Sequence, residues 1–497
     1  MPLLAKILLS EAKHYLHTFA SSSNFAMAAQ QFDFGMIGLG VMGRNFLLNM
    51  ADHGFKVIGF DKDNQKTSAL ESAATAGTTV KGVGSLQDMT AQLAKPRKIM
   101  MLVPAGKPVD DVIENLLPLV DKGDIIIDGG NSHYTDTLRR VTYLQGKGIH
   151  FMGIGVSGGE QGARTGPSIM PGGDPEAYPH VRPMLEAVAA KVDNVPCVAH
   201  LGKGAAGHYV KMVHNGIEYA IMQLISECYD LLHRGLGLTD DELHTVFDTW
   251  NKGELRSFLI EITADIFLQP DDKTPNRLVD MILDKAGAKG TGKWTSQDAM
   301  DLGVPIPTID MAVTMRNLSA LKDERVEASA LYPGTSDLIS VPKEQFIQQV
   351  HDALLFGTLV SYAQGLSLLH KASGDLDMQI PLPEVVSVWR GGCIIRSVQL
   401  GLFSKALKLN PQLSNLLLDA QVAKVLQEKV QSLRAVTVLA TQHGIPAAGL
   451  MTALSYFDVY RSKQLPINLL QAQRDYFGAH TYQRVDMPGV FHTEWGK

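Results

Sequence analysis

Cysteine is scarce in this 497-residue chain, which holds only Cys197, Cys228 and Cys393. Three thiols so widely spaced build neither a disulfide framework nor a paired zinc motif, and they suit a reducing, cytoplasmic setting. Charge is sparse too: 19% of residues are charged and the net charge is −6. That excludes the broad basic footprint of a nucleic-acid binder, but not a local pocket for a small anion. No clean membrane span exists. The nearest candidate, 353–369, is uncharged but is broken by Gly357, Ser361, Tyr362, Gln364 and Ser367, so it reads as a buried helix. The histidines are scattered with no His-x-x-x-His pair, and no metal site is expected. No Gly-x-Ser-x-Gly nucleophile elbow is expected either. What is abundant is apolar residues, at 45%, enough for an ordinary folded protein and too many for a disordered one.

Residues 1–32 read as a leader, either a mis-called start ahead of Met27 or a short disordered stretch. Its apolar run 2–9 is broken by Lys6 and has no proper cleavage site, so a targeting peptide is the weaker reading. From Phe32 the pattern becomes strand, glycine turn, helix, strand and acid: an apolar run at 32–37, Gly38-Leu39-Gly40-Val41-Met42-Gly43, a helical stretch to Gly54, a β-rich run at 56–60, then Asp61. Further short apolar runs at 99–103, 125–127 and 150–154 each end in turn chemistry. Such alternation predicts a parallel sheet with functional loops at the strand ends. A dinucleotide-binding domain is expected over 33–205.

Beyond Leu201 the texture turns helical. Long proline-free stretches predict an all-helical domain over 206–460. It contains a repeat. Leu231-Leu232-His233-Arg234 matches Leu368-Leu369-His370-Lys371, and Trp250-x-x-Gly253 with Arg256-Ser257 matches Trp389-x-x-Gly392 with Arg396-Ser397, at offsets of 137 to 140. That order of matches points to an ancestral duplication. The tail 461–497 mixes basic and aromatic side chains and is expected to dock on a second subunit.

Three constellations carry chemistry. In the glycine turn, Gly38 permits the tight bend, Gly40 admits a pyrophosphate and Gly43 allows close helix–strand packing, while the helix N-terminus offers free N–H groups. Asp61 stands where a carboxylate would meet an adenosine ribose. It favours NAD over a 2′-phosphate, although Lys62 beside it favours the phosphate. On a helix expected over 207–234, Lys211, His214, Asn215 and Glu218 share one face, and Val210, Val213, Ile217, Ile221, Leu224 and Cys228 line another. A buried lysine with a carboxylate two turns on suits acid–base work. At the offset of 137 these two become Gln348 and Leu355, so the second copy lacks the pair. Lastly, Asp128-Gly129-Gly130-Asn131-Ser132, Gly155-Val156-Ser157-Gly158-Gly159 and Lys289-Gly290-Thr291-Gly292-Lys293-Trp294 read as loops able to hold hydroxyls or a phosphate, and equally as ordinary turns.

Together these motifs, with Lys211-Met212-Val213-His214-Asn215-Gly216-Ile217-Glu218-Tyr219 and Arg474-Asp475-Tyr476-Phe477-Gly478-Ala479-His480, resemble the decarboxylating 6-phosphogluconate dehydrogenases over nearly the whole chain past the leader. The resemblance implies a Rossmann-type α/β domain, a large all-α domain with duplicated halves, and a tail that enters the partner of a homodimer. It implies Lys211 as general base and Glu218 as the acid that protonates the enediol. Asn131, Ser157, Gly158, Gly159, His214 and Asn215 would hold the sugar acid. Tyr219, Lys289, Thr291, Arg316 and the tail residues Arg474 and His480 would close on its phosphate end. Gly38, Gly40, Val41, Met42, Gly43, Asp61, Lys62, Val103 and Asn131 would hold the cofactor. The family habit is NADP, usually with Asn-Arg-Thr or Asn-Arg-Ser where this chain has Asp61-Lys62-Asp63, so NAD or dual use stays open. Shorter 3-hydroxyisobutyrate-type dehydrogenases share the first domain and the lysine helix but lack the duplicated half and the tail. A non-catalytic scaffold would not need the Lys211/Glu218 pair.

Overall fold

The computed structural model describes residues 31–334 and 337–496, so all but the end of the expected leader lies outside the described residues. The chain folds as two units. One runs to Lys211 and includes Gly391–Cys393; the other begins at Met212.

The first unit is a seven-stranded sheet with helices between its strands. In chain order these are β1 (Phe34–Ile37), α1 (Val41–Asp52), β2 (Val57–Phe60), α2 (Asn64–Ser72), β3 (Val80–Val83), α3 (Leu86–Gln92), β4 (Lys98–Met101), α4 (Lys107–Leu116), β5 (Ile125–Asp128), α5 (Tyr134–Gln145), β6 (His150–Ser157), α6 (Gly159–Thr165), β7 (Ser168–Gly173) and α7 (Tyr178–Val188). The strand order is β3-β2-β1-β4-β5-β6-β7. The central strands read Phe-Gly-Met-Ile, Lys-Ile-Met-Met and Ile-Ile-Ile-Asp and are buried almost throughout, as strands covered on both faces must be. From α1, Phe46, Leu47 and Met50 enter one apolar core with Phe34, Met36 and Ile127. Each such side chain contributes about 1.5–3 kcal/mol on burial. A second core on the other face gathers Ile37, Ile99, Ile126, Val109 and Ile113.

The expected parallel sheet is correct for six strands; β7 is antiparallel to β6. Within the seven-stranded sheet, the two strands without a counterpart among the expected apolar runs, β3 and β7, are the two edges. Val-Lys-Gly-Val is interrupted by a lysine and Ser-Ile-Met-Pro-Gly-Gly by a proline, residues that an edge strand tolerates.

The second unit is helical. The long helix α8 (Ala206–Asp230) leads into it and continues in a wider helical turn over Leu231–Gly235, so the helical path covers the expected end at Arg234. Then come α9 (Asp240–Trp250), α10 (Phe258–Leu268), α11 (Leu278–Met281), α12 (Thr291–Asp301), α13 (Pro307–Ser319), α14 (Lys322–Leu331), α15 (Lys343–Asp375), α16 (Leu382–Trp389), α17 (Gln399–Leu409), α18 (Ala420–Gln442), α19 (Ala448–Tyr460) and α20 (Ile467–Gly478). Helix α15 is long and apolar enough to cross a membrane, but the window that qualifies is 89% buried inside the protein, as befits a core helix.

The sequence repeat has a counterpart in hydrogen bonds. The Phe258 N–H donates to the Arg396 carbonyl at 3.2 Å, and the Val398 N–H donates to the Arg256 carbonyl at 3.0 Å. Ser257 faces Ser397 in the antiparallel bridge between them. At an offset of 140 residues these are one bond made twice, which places a local two-fold axis between the serines. The axis also relates two ring contacts. His214 on α8 meets Trp389 edge-on at 5.8 Å, and His351 on α15 meets Trp250 edge-on at 5.7 Å.

The tail folds around Asp475, which is fully buried. Its carboxylate accepts from the Thr481 and Thr493 N–H groups, His492 Nδ1 and the Trp495 indole at 2.9–3.0 Å. Desolvation pushes its pKa up, but these donors outweigh that and hold it well below the usual carboxylate range. Exposed apolar side chains remain on α20 at Ile467, Leu469, Tyr476 and Phe477.

Candidate active site

The first unit holds a cavity of about 420 Å³ lined by Gly38, Gly40, Asp61, Lys62, Lys66, Val103 and Pro104 among others. It lies where the strand order reverses, between the carboxyl ends of β1 and β4, which is where open α/β sheets bind nucleotides. Gly38 has φ +91°, and a Cβ there would meet the Leu102 carbonyl at 2.5 Å. A Cβ on Gly43 would strike the Gly38 carbonyl at 2.0 Å, whereas Gly40 opens onto free space. The three glycines thus divide as expected into bend, opening and packing contact. Val41 is exposed at the start of α1 and Met42 packs against the core. Neither is among the residues lining the cavity, and nor is Asn131.

Asp61 is turned to a structural task. It accepts from the Leu39 N–H at 2.8 Å and from the Asp63 N–H at 3.0 Å, with Lys66 Nζ at 3.6 Å. Desolvation pushes its pKa up, but those two N–H groups and Lys66 outweigh that and hold it low. The carboxylate therefore pins the glycine turn to the end of β2, and two lysines face the same cavity. Lys66 was not singled out in the sequence; its position one turn into α2 could have flagged it.

Lys211 lies on α8, whose first turns press against the sheet. A Cβ on Gly207 would meet the Gly153 carbonyl at 2.2 Å, and one on Gly172 the Gly207 nitrogen at 2.1 Å. A Cβ on Gly155 would meet Lys211 Cβ at 2.4 Å. Glycines on β6, β7 and α8 remove the side chains that would hold the helix off, and Lys211 is seated over Gly155 at 7% exposure. The stretch 155–157 is strand and not the expected loop; Gly158 (φ +130°) alone separates it from α6, which Gly159 (φ +64°) opens. This pentapeptide also spells Gly-x-Ser-x-Gly, which corrects the expectation that no such motif occurs. Ser157 nevertheless ends a strand at 3% exposure, unlike the exposed serine of a nucleophile elbow.

In the second unit, the same helix presents His214, Asn215, Glu218 and Tyr219. His214 is fully buried, with Nδ1 at 3.1 Å from Asn215 Oδ1 and 3.8 Å from Glu218 Oε2. The expected division of α8 into a polar and an apolar face is too simple, because most of the helix is buried on every side; a Cβ on Gly216 would meet Thr295 at 2.7 Å. Asn215 Nδ2 donates to Thr291 Oγ1 at 3.2 Å. The Arg316 guanidinium lies 3.4 Å from the centre of the Tyr219 ring, and a Cβ on Gly292 would press into that ring at 2.5 Å. Asn215, Tyr219, Thr291 and Arg316 are therefore gathered together. The 289–294 motif is not a loop: Gly290, with φ +94°, starts α12 at Thr291, and exposed Lys289 precedes that helix N-terminus. Such a terminus favours an anion. The structure leaves Arg474 and His480 apart from this group. Both are exposed on the tail, where Arg474 donates to Gln471 and His480 meets the Phe477 ring.

The two-fold axis gives an internal comparison. In place of Lys211 and Glu218, α15 carries Gln348 and buried Leu355, and Gln348 donates to Asp352 at 3.0 Å. Lys429 Nζ also lies 3.0 Å from Asp352. The second copy keeps the histidine–tryptophan contact but satisfies its polar groups internally.

Comparison with known proteins agrees with this geometry. Residues 33–202 match the model of the NAD binding domain of 6-phosphogluconate dehydrogenase, and 207–495 match that of its C-terminal domain. The chain is 51% identical over 472 residues to the NADP(+)-dependent, decarboxylating 6-phosphogluconate dehydrogenase of Bacillus subtilis, covering 95% of this chain and 100% of that one. It is 50% identical over 457 residues to a decarboxylating 6-phosphogluconate dehydrogenase of Saccharomyces cerevisiae, covering 91% and 92%. Among solved structures, the Plasmodium falciparum 6-phosphogluconate dehydrogenase, described with its cofactor NADP+ and its substrate 6-phosphogluconate, superposes with a TM-score of 0.91 at 44% identity, covering 93% of this chain and 100% of that one. A chain matched along almost its whole length by both family models and by relatives at half identity belongs to the 6-phosphogluconate dehydrogenase family.

Proposed function

We propose that this protein oxidises and decarboxylates 6-phospho-D-gluconate to D-ribulose 5-phosphate and CO2, using NADP+. The observation that carries this reading is α8 itself, with a buried lysine seated on a glycine-cleared strand and a carboxylate two turns further on. Bound NADP+ supplies the acceptor for the hydride that leaves C3. Gly38, Gly40, Val103 and the two lysines of the cavity hold it, with Val41, Met42 and Gly43 shaping the turn beneath.

Lys211 takes the C3 hydroxyl proton. As an ammonium it then donates to the 3-keto oxygen and stabilises the charge that develops there as the C1 carboxylate departs as CO2. Glu218 delivers a proton to the carbon left behind, which becomes C1 of the product. Asn131, Ser157, Gly158, Gly159, His214 and Asn215 hold the hydroxyls and carboxylate of the sugar acid. Tyr219, Lys289, Thr291 and Arg316 hold its phosphate. No metal enters this scheme.

For the cofactor, Lys62 and Lys66 beside an Asp61 already committed to backbone N–H groups favour a 2′-phosphate. Initial rates with 6-phosphogluconate, measured in parallel with NADP+ and NAD+, test substrate and cofactor together. The expected outcome is turnover with a clear preference for NADP+; equal or better turnover with NAD+ overturns the cofactor assignment.

The same reading includes a cytoplasmic homodimer in which Arg474 of the partner subunit and His480 of the partner subunit complete the phosphate site. The exposed apolar side chains of α20 around Arg474 support it. Mixing Arg474→Ala subunits with Lys211→Met subunits is expected to regain activity that neither has alone. Absence of complementation in a mixture shown to exchange subunits removes the shared site.

A further inference from the structure

One buried guanidinium in the first unit ties α4 to two segments of the proposed site, the loop at 103–106 and the stretch 128–132. Arg140, on α5, is 1% exposed. Its Nε donates to Asp110 Oδ1 at 2.8 Å, its Nη2 to the Gly106 carbonyl at 3.0 Å, and its Nη1 reaches Ser132 Oγ at 3.3 Å and Asp128 Oδ2 at 3.4 Å. Gly106 closes the loop that begins with Val103, a wall of the nucleotide cavity. Asp128 ends β5 and is fully buried. Its carboxylate accepts from the Gly130 N–H at 3.0 Å and from the Ser132 hydroxyl at 2.6 Å, so it grips the chain on both sides of exposed Asn131. The two loops also approach each other: a Cβ on Gly130 would lie 3.3 Å from the Val103 carbonyl.

The backbone of Asp128 continues the chain of contacts. Its carbonyl lies 3.0 Å from His208 Nε2, which must therefore carry the proton, and His208 Nδ1 lies 2.7 Å from Thr137 Oγ1. Burial pushes the His208 pKa down, in keeping with a neutral ring in this role. Thr137 and Arg140 are three residues apart on α5, so one helix face serves both ends of Asp128. His208 stands one turn before Lys211 on α8, and a Cβ on Gly153 would collide with its ring at 2.8 Å.

The geometry points to Asp128 and Arg140 as positioning residues that hold Asn131, the loop at 103–106 and the helix bearing Lys211 in one register. This inference rests on the roles proposed above for Asn131 and Lys211. Arginine suits the task because its planar fork satisfies several fixed acceptors at once, which a lysine ammonium on a flexible stem does not. A buried charge deprived of its partner also disturbs its surroundings more than a lost surface pair does.

The test uses Arg140→Met and Arg140→Lys in the full chain. NADP+ affinity is measured by fluorescence titration without the sugar acid, kcat and KM are measured with it, and circular dichroism and melting report folding. Arg140→Met is expected to fold, to bind NADP+ about tenfold more weakly and to lose about tenfold or more in kcat, as a displaced loop and base would require. Arg140→Lys restores the charge without the fork and is expected to recover only part of each loss. A folded Arg140→Met with wild-type affinity and kcat overturns the proposal. If Arg140→Met does not fold, Ser132→Ala decides, since it removes one donor to Asp128. A threefold weaker NADP+ affinity at unchanged melting temperature supports the proposal, and wild-type affinity overturns it. Because the binding measurement needs no turnover, a wild-type chain that binds NADP+ but ignores 6-phosphogluconate sinks the functional reading while leaving this test intact.

Discussion

Replacing Lys211 by methionine is expected to lower kcat by about a thousandfold or more while leaving NADP+ affinity within about twofold of wild type. Methionine is of similar length and apolar, so it fits the space above Gly155 and keeps the helix seated. What it removes is the group that, in the proposed mechanism, takes a proton at one stage and donates a hydrogen bond at the next. Both stages of the reaction then lose their acid–base partner, which is why the effect exceeds that of any binding residue. The measurement is steady-state turnover alongside a cofactor titration. Near-normal kcat in a folded Lys211→Met protein removes Lys211 from the chemistry.

Glu218→Gln is expected to cost about a hundredfold in kcat. Glutamine keeps the shape and a hydrogen-bonding end but cannot deliver a proton to carbon. The loss belongs to the last step, so nicotinamide reduction in the first turnover should survive better than steady-state formation of ribulose 5-phosphate. A rapid-mixing comparison of the first turnover with later ones separates these. Unchanged product formation in Glu218→Gln excludes it as the acid.

Much of this site is legible in the sequence, because its parts are local. The glycine turn spans six residues, and Lys211, His214, Asn215 and Glu218 fall on one helix at spacings that periodicity exposes. The strands with continuous apolar runs are legible for the same reason; the edge strands are not, since an edge needs no such run. Contacts between distant segments leave no such trace. Nothing in the sequence marks Gly155 as clearance for Lys211, and its glycine-rich surroundings read as a loop when the residues are strand. The 289–294 motif misleads likewise, since the same glycines that suggest a loop open a helix at Thr291. Asp61 reads as a ribose ligand because its partner, the Leu39 N–H, lies 22 positions away. The repeat is visible at 137 to 140 residues, but the bonds that Ser257 and Ser397 bracket, and the paired histidine–tryptophan contacts, emerge only when the two copies face each other.

The central claim is that one chain couples oxidation at C3 to loss of C1. It is tested most directly by supplying 6-phosphogluconate labelled at C1 and counting labelled CO2 against NADPH formed. One CO2 released per NADPH, with ribulose 5-phosphate as the sugar product, is the predicted result. NADPH formed without labelled CO2 would contradict it, and so would no reaction with this substrate.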